Sequence, residues 1–342
     1  MKDVAVIAIG RNEGQRLRRC LETVCGRGLP VIYVDSDSID GSVELARSLG
    51  ADIVQLDASL PLCAALARNA GLERLSGANP QTRFIQFVDG DCEIADGWID
   101  RARAQFEDRP DVAVVCGRRR ERRPDASIYN RLADLEWNTP IGEVQSCGGD
   151  AMMRVEAIVA VGGFDPSVIA GEEPELCQRL RGKGWKILRI DAPMTTHDAA
   201  MTRFGQWWRR AVRGGYGAMD VATRFGSEGL FASQVRSARI WAAGWPVMVV
   251  AAALTGGSLG GMVWAILAGA LTGMIVPAQI LRLALQSRHR TGSTSDALAY
   301  GAFTLLGKWP SLMGQIRYAR DRASGKAART IEYKPHPAAQ SS

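Results

Sequence analysis

The sequence predicts an α/β fold, with helices on both faces of a mostly parallel sheet, joined to a membrane-associated helical region. Three observations support this prediction. Apolar runs rich in β-branched residues alternate with helical patterns from the first residues onward. Polar clusters follow several of these runs directly. After about Gly226 the character changes, and one long segment contains no charged residue.

The alternating part predicts a Rossmann-like sheet, mixed but mostly parallel. Each apolar run has the length of a buried strand, and each intervening stretch has room for a helix. The predicted strands are Val4–Ile9, Val31–Asp35, Ile53–Leu56, Phe84–Val88 and Val112–Cys116. The predicted helices lie near Gln15–Cys25, Gly41–Leu49, Cys63–Leu75 and Gly97–Glu107.

Three polar clusters follow the predicted strands. They are Arg11-Asn12-Glu13, Asp35-Ser36-Asp37 and Asp89-Gly90-Asp91. Ligands of open α/β sheets bind beyond the carboxyl ends of the strands, so we expect the clusters to meet in a single site.

The pair Asp89 and Asp91 has the spacing of a metal site. In an extended segment residues i and i+2 point the same way, and Gly90 lets the backbone come close. Carboxylate oxygens suit Mg²⁺ or Mn²⁺, which complete their shells with substrate phosphates. The plainer alternative is an acidic loop without a metal, because such loops are common.

Composition excludes several other classes. The formal net charge is +6, from 42 basic and 36 acidic residues scattered along the chain, which does not indicate a nucleic-acid partner. Seven cysteines without a CxxC pair predict neither a disulfide framework nor a zinc site. We expect reduced thiols.

The uncharged segment Ile240 to Leu281 is about twice the ~20 residues that cross a bilayer as a helix. Glycines at 256–261 divide it, so we expect a hairpin of Ile240–Thr255 and Met262–Leu281. Arginines flank both ends: Arg236, Arg239, Arg282, Arg288 and Arg290. The positive-inside tendency then predicts an inner-membrane protein whose α/β domain faces the cytoplasm. A buried helix pair in a soluble protein is the alternative.

These features predict three regions. An α/β domain occupies residues 1–225, a membrane-associated helical region 226–320, and a polar tail 321–342. A further apolar stretch, Leu298 to Tyr318, is interrupted by Lys308 and Pro310 and is either an interfacial helix or a third span.

Five ordered motifs over roughly residues 1 to 220 resemble family 2 glycosyltransferases. They are VDSDSIDGS (34–42), ARNAG (67–71), VDGD (88–91), GGDAMMRVEAIVAVGGFD (148–165) and GEEPELCQRLRGKGW (171–185). The resemblance implies the GT-A fold, a nucleotide-sugar donor and inversion at the anomeric carbon. The apolar region resembles members that build bacterial surface polysaccharides or glycolipids.

The resemblance implies a nucleotide-sugar pocket. Its residues would be Arg11, Asn12, Glu13, Asp35, Asp37, Arg68, Asn69 and Asp89. The family often has VDDGSTDG, whereas this chain has Ser36 and Asp37 in place of the second Asp and the Gly. For Asp40 we favour turn and N-cap chemistry. The alternative for Arg68 and Asn69 is an ordinary helical surface.

The resemblance also implies the catalytic base. Glu173 matches the acid that removes a proton from the acceptor hydroxyl, with Asp replaced by Glu. Glu172 and Asp150 would contact the acceptor. Helix-start chemistry is an alternative explanation for both glutamates, since Pro174 follows them and acids favour a helix N-terminus. Asp150 has the alternative of satisfying local backbone.

Two further positions are less specific. His197 follows the predicted strand Lys186–Ile190, where some GT-A enzymes place a metal ligand beside Asp89 and Asp91; an exposed loop histidine is the alternative. QWWRR (206–210) resembles the QxxRW signature of processive synthases, with Arg at the Trp position. Trp207 would then stack on an acceptor sugar, or anchor the chain at the bilayer surface. The basic run 118–123 either meets lipid phosphates or is a solvated loop.

The resulting prediction is an inverting glycosyltransferase that moves a sugar from a nucleotide-diphosphate donor to a hydroxyl of a lipid-linked or other saccharide acceptor. Alternatives are a polyprenyl-phosphate sugar synthase and a non-catalytic membrane scaffold retaining the fold. A nucleotidyltransferase would show a glycine-rich, lysine-bearing phosphate loop after the first strand, and AIGRNEG is not one.

Overall fold

The computed structural model describes residues 3–226, 229–325 and 331, and contacts divide the chain into two units. The first unit runs to Gln206 and takes in the described residues from Gly325 onward. The second unit runs from Trp207 to Ser324. The predicted tail 321–342 lies mostly outside the described residues, although the last helix continues through Ala323.

Within the described residues of the first unit, nine strands form one sheet in the order β3-β2-β1-β4-β8-β6-β9-β5, with β7 beside β9. Their bounds are β1 Val4–Gly10, β2 Val31–Asp35, β3 Asp52–Gln55, β4 Phe84–Asp89, β5 Cys92–Ile94, β6 Val112–Glu121, β7 Gly142–Val144, β8 Ala151–Arg154 and β9 Lys186–His197.

The sheet is mixed, as predicted. Strands β3, β2, β1 and β4 are parallel neighbours, and β6 runs parallel to β9. Antiparallel pairing joins β8 to β4 and β6, and joins β5 and β7 to β9. The added antiparallel strands are three or four residues long, too short to leave a clear apolar run in the sequence.

The helices of the first unit are α1 Gln15–Glu22, α2 Ser42–Ser48, α3 Ala64–Ala78, α4 Trp98–Asp108, α5 Ile128–Glu136, α6 Val155–Ala160 and α7 Glu172–Gly182. Every residue of β2 is buried, as is every residue of β1 except its last. Successive side chains of a strand point to opposite faces, so both faces of the sheet are covered at these strands. The resulting core fixes the edge at which β1, β2 and β4 end.

The division between the units falls within helix α8, Phe204–Phe225. The remaining helices are α9 Ala232–Arg239, α10 Trp245–Gly260, α11 Met262–Gly273, α12 Ile275–Ser287, α13 Thr294–Leu306 and α14 Lys308–Ala323. A π-helical turn, Ile240–Gly244, joins α9 to α10.

Among the described residues, two helical segments are long and apolar enough to cross a membrane: Ala232–Gly260 and Met262–Ser287. Both are longer than predicted. Gly256 and Gly260 lie so close to Trp264 that a Cβ at either would clash with it, so glycine permits the hairpin. The predicted stretch Leu298 to Tyr318 is instead two helices, α13 and α14, which meet at Gly307.

Candidate active site

The three polar clusters lie at one edge of the sheet, because β2, β1 and β4 are adjacent and parallel. Gly10 pairs with Asp35 across β1 and β2, and Ile9 pairs with Asp89 across β1 and β4. The residues that follow each strand therefore meet at the carboxyl ends, as we expected.

The strand-2 turn, residues 35–42, uses most of its polar groups internally. The buried Asp35 carboxylate accepts from the Tyr33 hydroxyl at 2.9 Å and from the Ser38 backbone N–H at 2.8 Å. Asn12 crosses to this turn, accepting from the Ile39 N–H and donating its own N–H to the Ser38 hydroxyl. Asp35 and Asn12 therefore shape this edge of the predicted nucleotide pocket.

The other predicted pocket residues at this turn are more open. Arg11 and Asp37 are each about half-exposed and lie 3.8 Å apart, and Asp37 has a left-handed backbone with φ 66°. The Glu13 carboxylate pairs with Arg16 at 2.8 Å.

Asp40 has the turn role that we favoured. Its carboxylate accepts from the Gly14 N–H at 2.9 Å and from the Ser42 N–H and hydroxyl at 3.1 and 2.5 Å. These bonds tie the start of α2 to the start of α1.

The Arg68 cluster comprises Arg68, Asp89, Glu172 and Glu173. Nη1 of Arg68 donates to Glu172 at 2.7 Å, while Nη2 lies 2.9 Å from Asp89 and 3.1 Å from Glu173. The guanidinium is 1% exposed. Arg68 is therefore enclosed by acids, and the alternative of an ordinary helical surface is wrong for it.

Asn69 holds a loop. Its amide donates to the Phe164 carbonyl at 2.7 Å and accepts from the Phe164 N–H at 2.9 Å. The Phe164 ring lies under the Arg68 guanidinium at 5.5 Å. Asn69 was predicted to contact the nucleotide. In this structure both polar atoms of its side-chain amide bind the backbone of the GGFD loop, residues 162–165.

Glu172 and Glu173 occupy the first turn of α7, which begins after Gly171 with φ 87°. Glu172 points inward and is buried, whereas the Glu173 side chain is 13% exposed. Burial and then the negative charge of Glu172 raise the pKa of Glu173 to about 7, against the opposing effect of Arg68. Glu172, predicted to contact an acceptor, is bound to Arg68 instead.

Asp150 was predicted to contact the acceptor, and the structure corrects this prediction because the residue is fully buried. Its carboxylate has no exposed surface and accepts from the Asp89 N–H at 3.0 Å and the Thr195 hydroxyl at 2.7 Å. Arg119 lies 2.7 Å from the same carboxylate. The alternative, that Asp150 satisfies local backbone, is the observed arrangement.

Asp91 and His197 form the second half of the site. His197 Nε2 lies 3.2 Å from Asp91 Oδ2, and its Nδ1 lies 3.5 Å from Glu121. Burial lowers the pKa of His197, but Asp91 and Glu121 outweigh it and raise the pKa to about 9. Both Asp91 and His197 are buried.

The alternative of an exposed loop histidine is wrong for His197, which is buried at the end of a strand. Strand β9 continues through Pro193 to His197, which pairs with Cys92 of β5. Pro193 lies opposite Arg118 at an irregularity in the β6–β9 ladder, where a residue without an N–H is tolerated. The longer strand carries His197 back to the acidic edge.

The basic run 118–123 is not a solvated loop, since β6 includes its first four residues. Arg118 and Arg120 both bind Asp134, and Arg119 turns inward to Asp150. Arg122 pairs with Glu93. These partners are all acids of the first unit, so these arginines pair within the α/β domain.

The residues present fit a divalent cation. Two ligands at about 2.1 Å from one ion and at right angles to each other lie about 3 Å apart, close to the separation of Asp91 and His197. Among the described ion pairs, six carboxylates surround two arginines and one histidine: Asp89, Asp91, Glu121, Asp150, Glu172 and Glu173 with Arg68, Arg119 and His197. The buried Cys92 thiol lies beside this pair, and burial raises its pKa.

Three side chains of the site were not predicted. Arg119 and Glu121 lie in the basic run 118–123, where the sequence does not distinguish them from their neighbours. Trp137 packs edge-on against His197 at 4.8 Å and lies under Arg119 at 5.4 Å. Trp207, predicted to stack on an acceptor, is a buried residue of the second unit and packs edge-to-face on Phe303 at 5.1 Å.

Comparisons with known proteins agree with this architecture. Residues 5–158 match the model of the family described as glycosyl transferase family 2. A pre-mycofactocin glycosyltransferase of Mycobacterium tuberculosis is 31% identical over 241 residues, which are 65% of this chain and 48% of that protein. The succinoglycan biosynthesis protein ExoA of Rhizobium meliloti is 26% identical over 192 residues, 52% of this chain and 55% of that protein.

A mannosyltransferase from Pyrobaculum calidifontis, solved with GDP-Man and Mn²⁺, has a TM-score of 0.56 at 18% identity, covering 89% of this chain and 87% of that one. The mixed sheet and its acidic edge define the class as a GT-A-type α/β fold. The chain is similar, through its first unit, to members of glycosyltransferase family 2. It spans about half the length of the curated relatives that it matches.

Proposed function

We propose that this protein is an inverting glycosyltransferase that moves a sugar from a nucleotide-diphosphate donor to a hydroxyl of a lipid-linked or other saccharide acceptor. One observation carries the proposal: at a single sheet edge, Asp91 and His197 lie 3.2 Å apart, a separation that suits two ligands of one cation, and they accompany a partly exposed carboxyl, Glu173, whose pKa is raised to about 7. A base with a pKa near the working pH is suited to accepting a hydroxyl proton.

The donor would lie along the edge formed by β2, β1 and β4. Asp35 and Asn12 shape the end that receives the nucleotide, and Arg11 and Asp37 remain open to contact it. Asp89, whose side chain is 32% exposed, would contact the donor sugar. Asn69 would support this edge through the GGFD loop.

Asp91 and His197 would hold Mg²⁺ or Mn²⁺, and the bound ion would neutralise charge that develops on the leaving diphosphate. Asp89, predicted as a third ligand, is paired with Arg68 in this structure and in this proposal would contact the sugar. The imidazole must lose its proton to bind a metal, so cation binding releases a proton.

Glu173 would remove the proton of the acceptor hydroxyl as that oxygen attacks the anomeric carbon. The oxygen–carbon bond forms while the bond from carbon to the diphosphate oxygen breaks, and the configuration inverts. The raised pKa favours a hydroxyl acceptor over a phosphate, which needs no base.

The second unit would attach the enzyme to the inner membrane, with its first unit on the cytoplasmic side. The two apolar helical segments expose large side chains such as Val247, Leu254, Leu259 and Leu271. Exposed apolar surface on this scale favours a lipid partner. Confining enzyme and a lipid-linked acceptor to one surface would raise their effective concentration.

A panel of nucleotide sugars tests the proposal. Membranes that contain the full chain are offered each donor with Mn²⁺, and free nucleoside diphosphate is measured with and without an extract of membrane lipids. We expect one donor to give lipid-dependent release. The same release from membranes that contain the Asp91→Asn variant, or no release with any donor, would refute the enzyme.

A further inference from the structure

The Arg68 cluster places one guanidinium between the donor side and the acceptor side of the proposed site. Asp89 ends β4, whereas Glu172 and Glu173 begin α7, more than eighty residues later. Arg68 itself comes from α3. Three separate segments therefore meet at one side chain, although no local pattern in the sequence joins them.

The two nitrogens of the guanidinium have different environments. Nη1 is fixed by the buried Glu172 at 2.7 Å, and this contact determines where Nη2 lies. Nη2 is shared by Asp89 at 2.9 Å and Glu173 at 3.1 Å. Because the guanidinium is planar, fixing one nitrogen fixes the direction of the other.

The surrounding backbone permits this convergence at one point. A Cβ on Gly149 would lie 2.6 Å from Asp89, 2.9 Å from Arg68 and 2.9 Å from Glu173. Any larger residue would push these groups apart. Phe164 closes the other side of the guanidinium at 5.5 Å. The geometry is therefore enclosed, and it leaves Arg68 1% exposed and without access to a nucleotide.

We infer that Arg68 is a positioning residue that holds the base Glu173 and the donor-contacting Asp89 at a fixed separation, with Glu172 as its anchor. The inference rests on the proposed function. It replaces the nucleotide contact that the family resemblance implied for Arg68. Glu172 would then act by holding Arg68 and would not contact the acceptor itself.

The charge of Arg68 also acts on Glu173, because it favours the carboxylate form that a base needs. Burial and Glu172 raise the pKa of Glu173, and Arg68 is the opposing influence. A lysine at this position would keep one positive charge, but as a point charge it would not hold the same directions toward three carboxylates. Arg68→Lys therefore separates loss of positioning from loss of charge.

A double-mutant cycle on sugar transfer tests this inference. Arg68→Lys, Glu173→Gln and the double variant are prepared as full chains, with Arg74→Lys as the matched control. Arg74 lies on the same helix, but its ion pair with Asp52 is solvent-exposed. We expect Arg68→Lys to lower kcat about 10²-fold and Arg74→Lys to leave it unchanged.

The decisive result is the double variant. If Arg68 acts through Glu173, Arg68→Lys costs less than about threefold once Glu173 is Gln, because the base that it positions is already lost. If the two losses multiply, Arg68 has a separate role and the inference is overturned. An Arg68→Lys variant with full activity overturns it as well.

A second variant covers the case in which Arg68→Lys does not fold. Glu172→Gln keeps Arg68 but weakens its anchor, and its effect should likewise disappear in the Glu173→Gln background; multiplicative losses would count against the inference. Wild-type protein that transfers no sugar refutes the proposed function and this inference together. Wild-type transfer with multiplying losses refutes the inference alone.

Discussion

The strand-2 turn and the Arg68 cluster are both acidic, lie at the same sheet edge, and satisfy their carboxylates by different means. In the strand-2 turn, backbone N–H groups and hydroxyls from nearby residues and the adjoining 11–14 segment satisfy Asp35 and Asp40. In the Arg68 cluster, three carboxylates share one guanidinium. The neutral donors fix the conformation of the turn, whereas the shared Arg68 guanidinium couples the charges of the three carboxylates.

This difference separates structural from chemical roles. A carboxylate held by backbone N–H groups stabilises a turn, and its replacement mainly reduces stability. A carboxylate that shares a buried cation has its proton affinity set by its neighbours, which is useful to a base. We therefore expect substitutions at the Asp91–Glu173 side of the edge to affect turnover, and substitution of Asp40 in the strand-2 turn to affect stability.

The largest effect is expected for Asp91→Asn. The change removes the charge that faces His197 and would weaken cation binding, so the leaving diphosphate loses its neutralising partner. We expect kcat to fall about 10³-fold or more at saturating donor. Calorimetric titration with Mn²⁺ should show weaker binding at the same time.

The control for this change is Asp57→Asn, an exposed acid that follows β3 at the same edge. It should retain full activity and Mn²⁺ binding. An Asp91→Asn variant that keeps more than about a tenth of wild-type kcat would remove Asp91 from the chemistry.

Glu173→Gln should have the next largest effect. The amide keeps the size of the side chain but cannot accept a proton, so kcat for a hydroxyl acceptor should fall about 10²-fold. Donor KM should change little, because the base faces the acceptor. Rates of product formation at several donor concentrations measure both quantities.

Glu156→Gln provides the matched control, since Glu156 is an exposed acid in the first turn of α6. Loss of activity in both variants would point to a general effect of helix-start acids. A mild Glu173→Gln with a phosphate-bearing lipid as acceptor would identify a polyprenyl-phosphate sugar synthase instead.

Much of the fold could be predicted because its signals are local. The apolar run Val31–Asp35 is a strand with the predicted bounds, and Val4–Ile9 and Phe84–Val88 differ from the structure by one residue. Short antiparallel strands such as β7 and β8 could not be predicted, because they are stabilised by neighbours that are distant in sequence.

Only those residues of the site that lie in recognisable sequence motifs could be predicted. Asp91 and Glu173 lie in motifs, but the ion pair of Arg119 with Asp150 joins two segments through the sheet, and no spacing rule indicates it. His197 was placed after the predicted strand, because the apolar pattern stops at Ile190 and Asp191 follows. Pairing with β6 and β5, which are distant in sequence, continues the strand past Pro193 to His197.

The pH dependence of turnover gives a smaller effect. Glu173 acts as a base only when it is a carboxylate, and burial and Glu172 raise its pKa to about 7. We therefore expect kcat/KM to fall as the pH falls through about 7, by about tenfold for each unit below it. A profile between pH 4 and 9 measures this limb, which should be absent from Glu173→Gln. A wild-type limb near pH 4.5, the ordinary value for a glutamate, would contradict the coupling within the Arg68 cluster.

The smallest effect is expected for Asp40→Ala, which tests the strand-2 turn itself. The substitution removes acceptors for the N–H groups of Gly14 and Ser42, so it should cost about 1 kcal/mol, as does loss of a helix N-cap. For a unit of this size that is a fall in Tm of about 2–4 °C, measured on the detergent-solubilised full chain. Asp40→Asn keeps a side-chain acceptor and should lose less stability.

Because Asp40 touches neither Asp91 nor Glu173 in the described contacts, sugar transfer below the Tm should stay within about twofold of wild type. A large loss of transfer without a change in Tm would make the strand-2 turn part of the chemistry and remove the distinction between the two acidic regions.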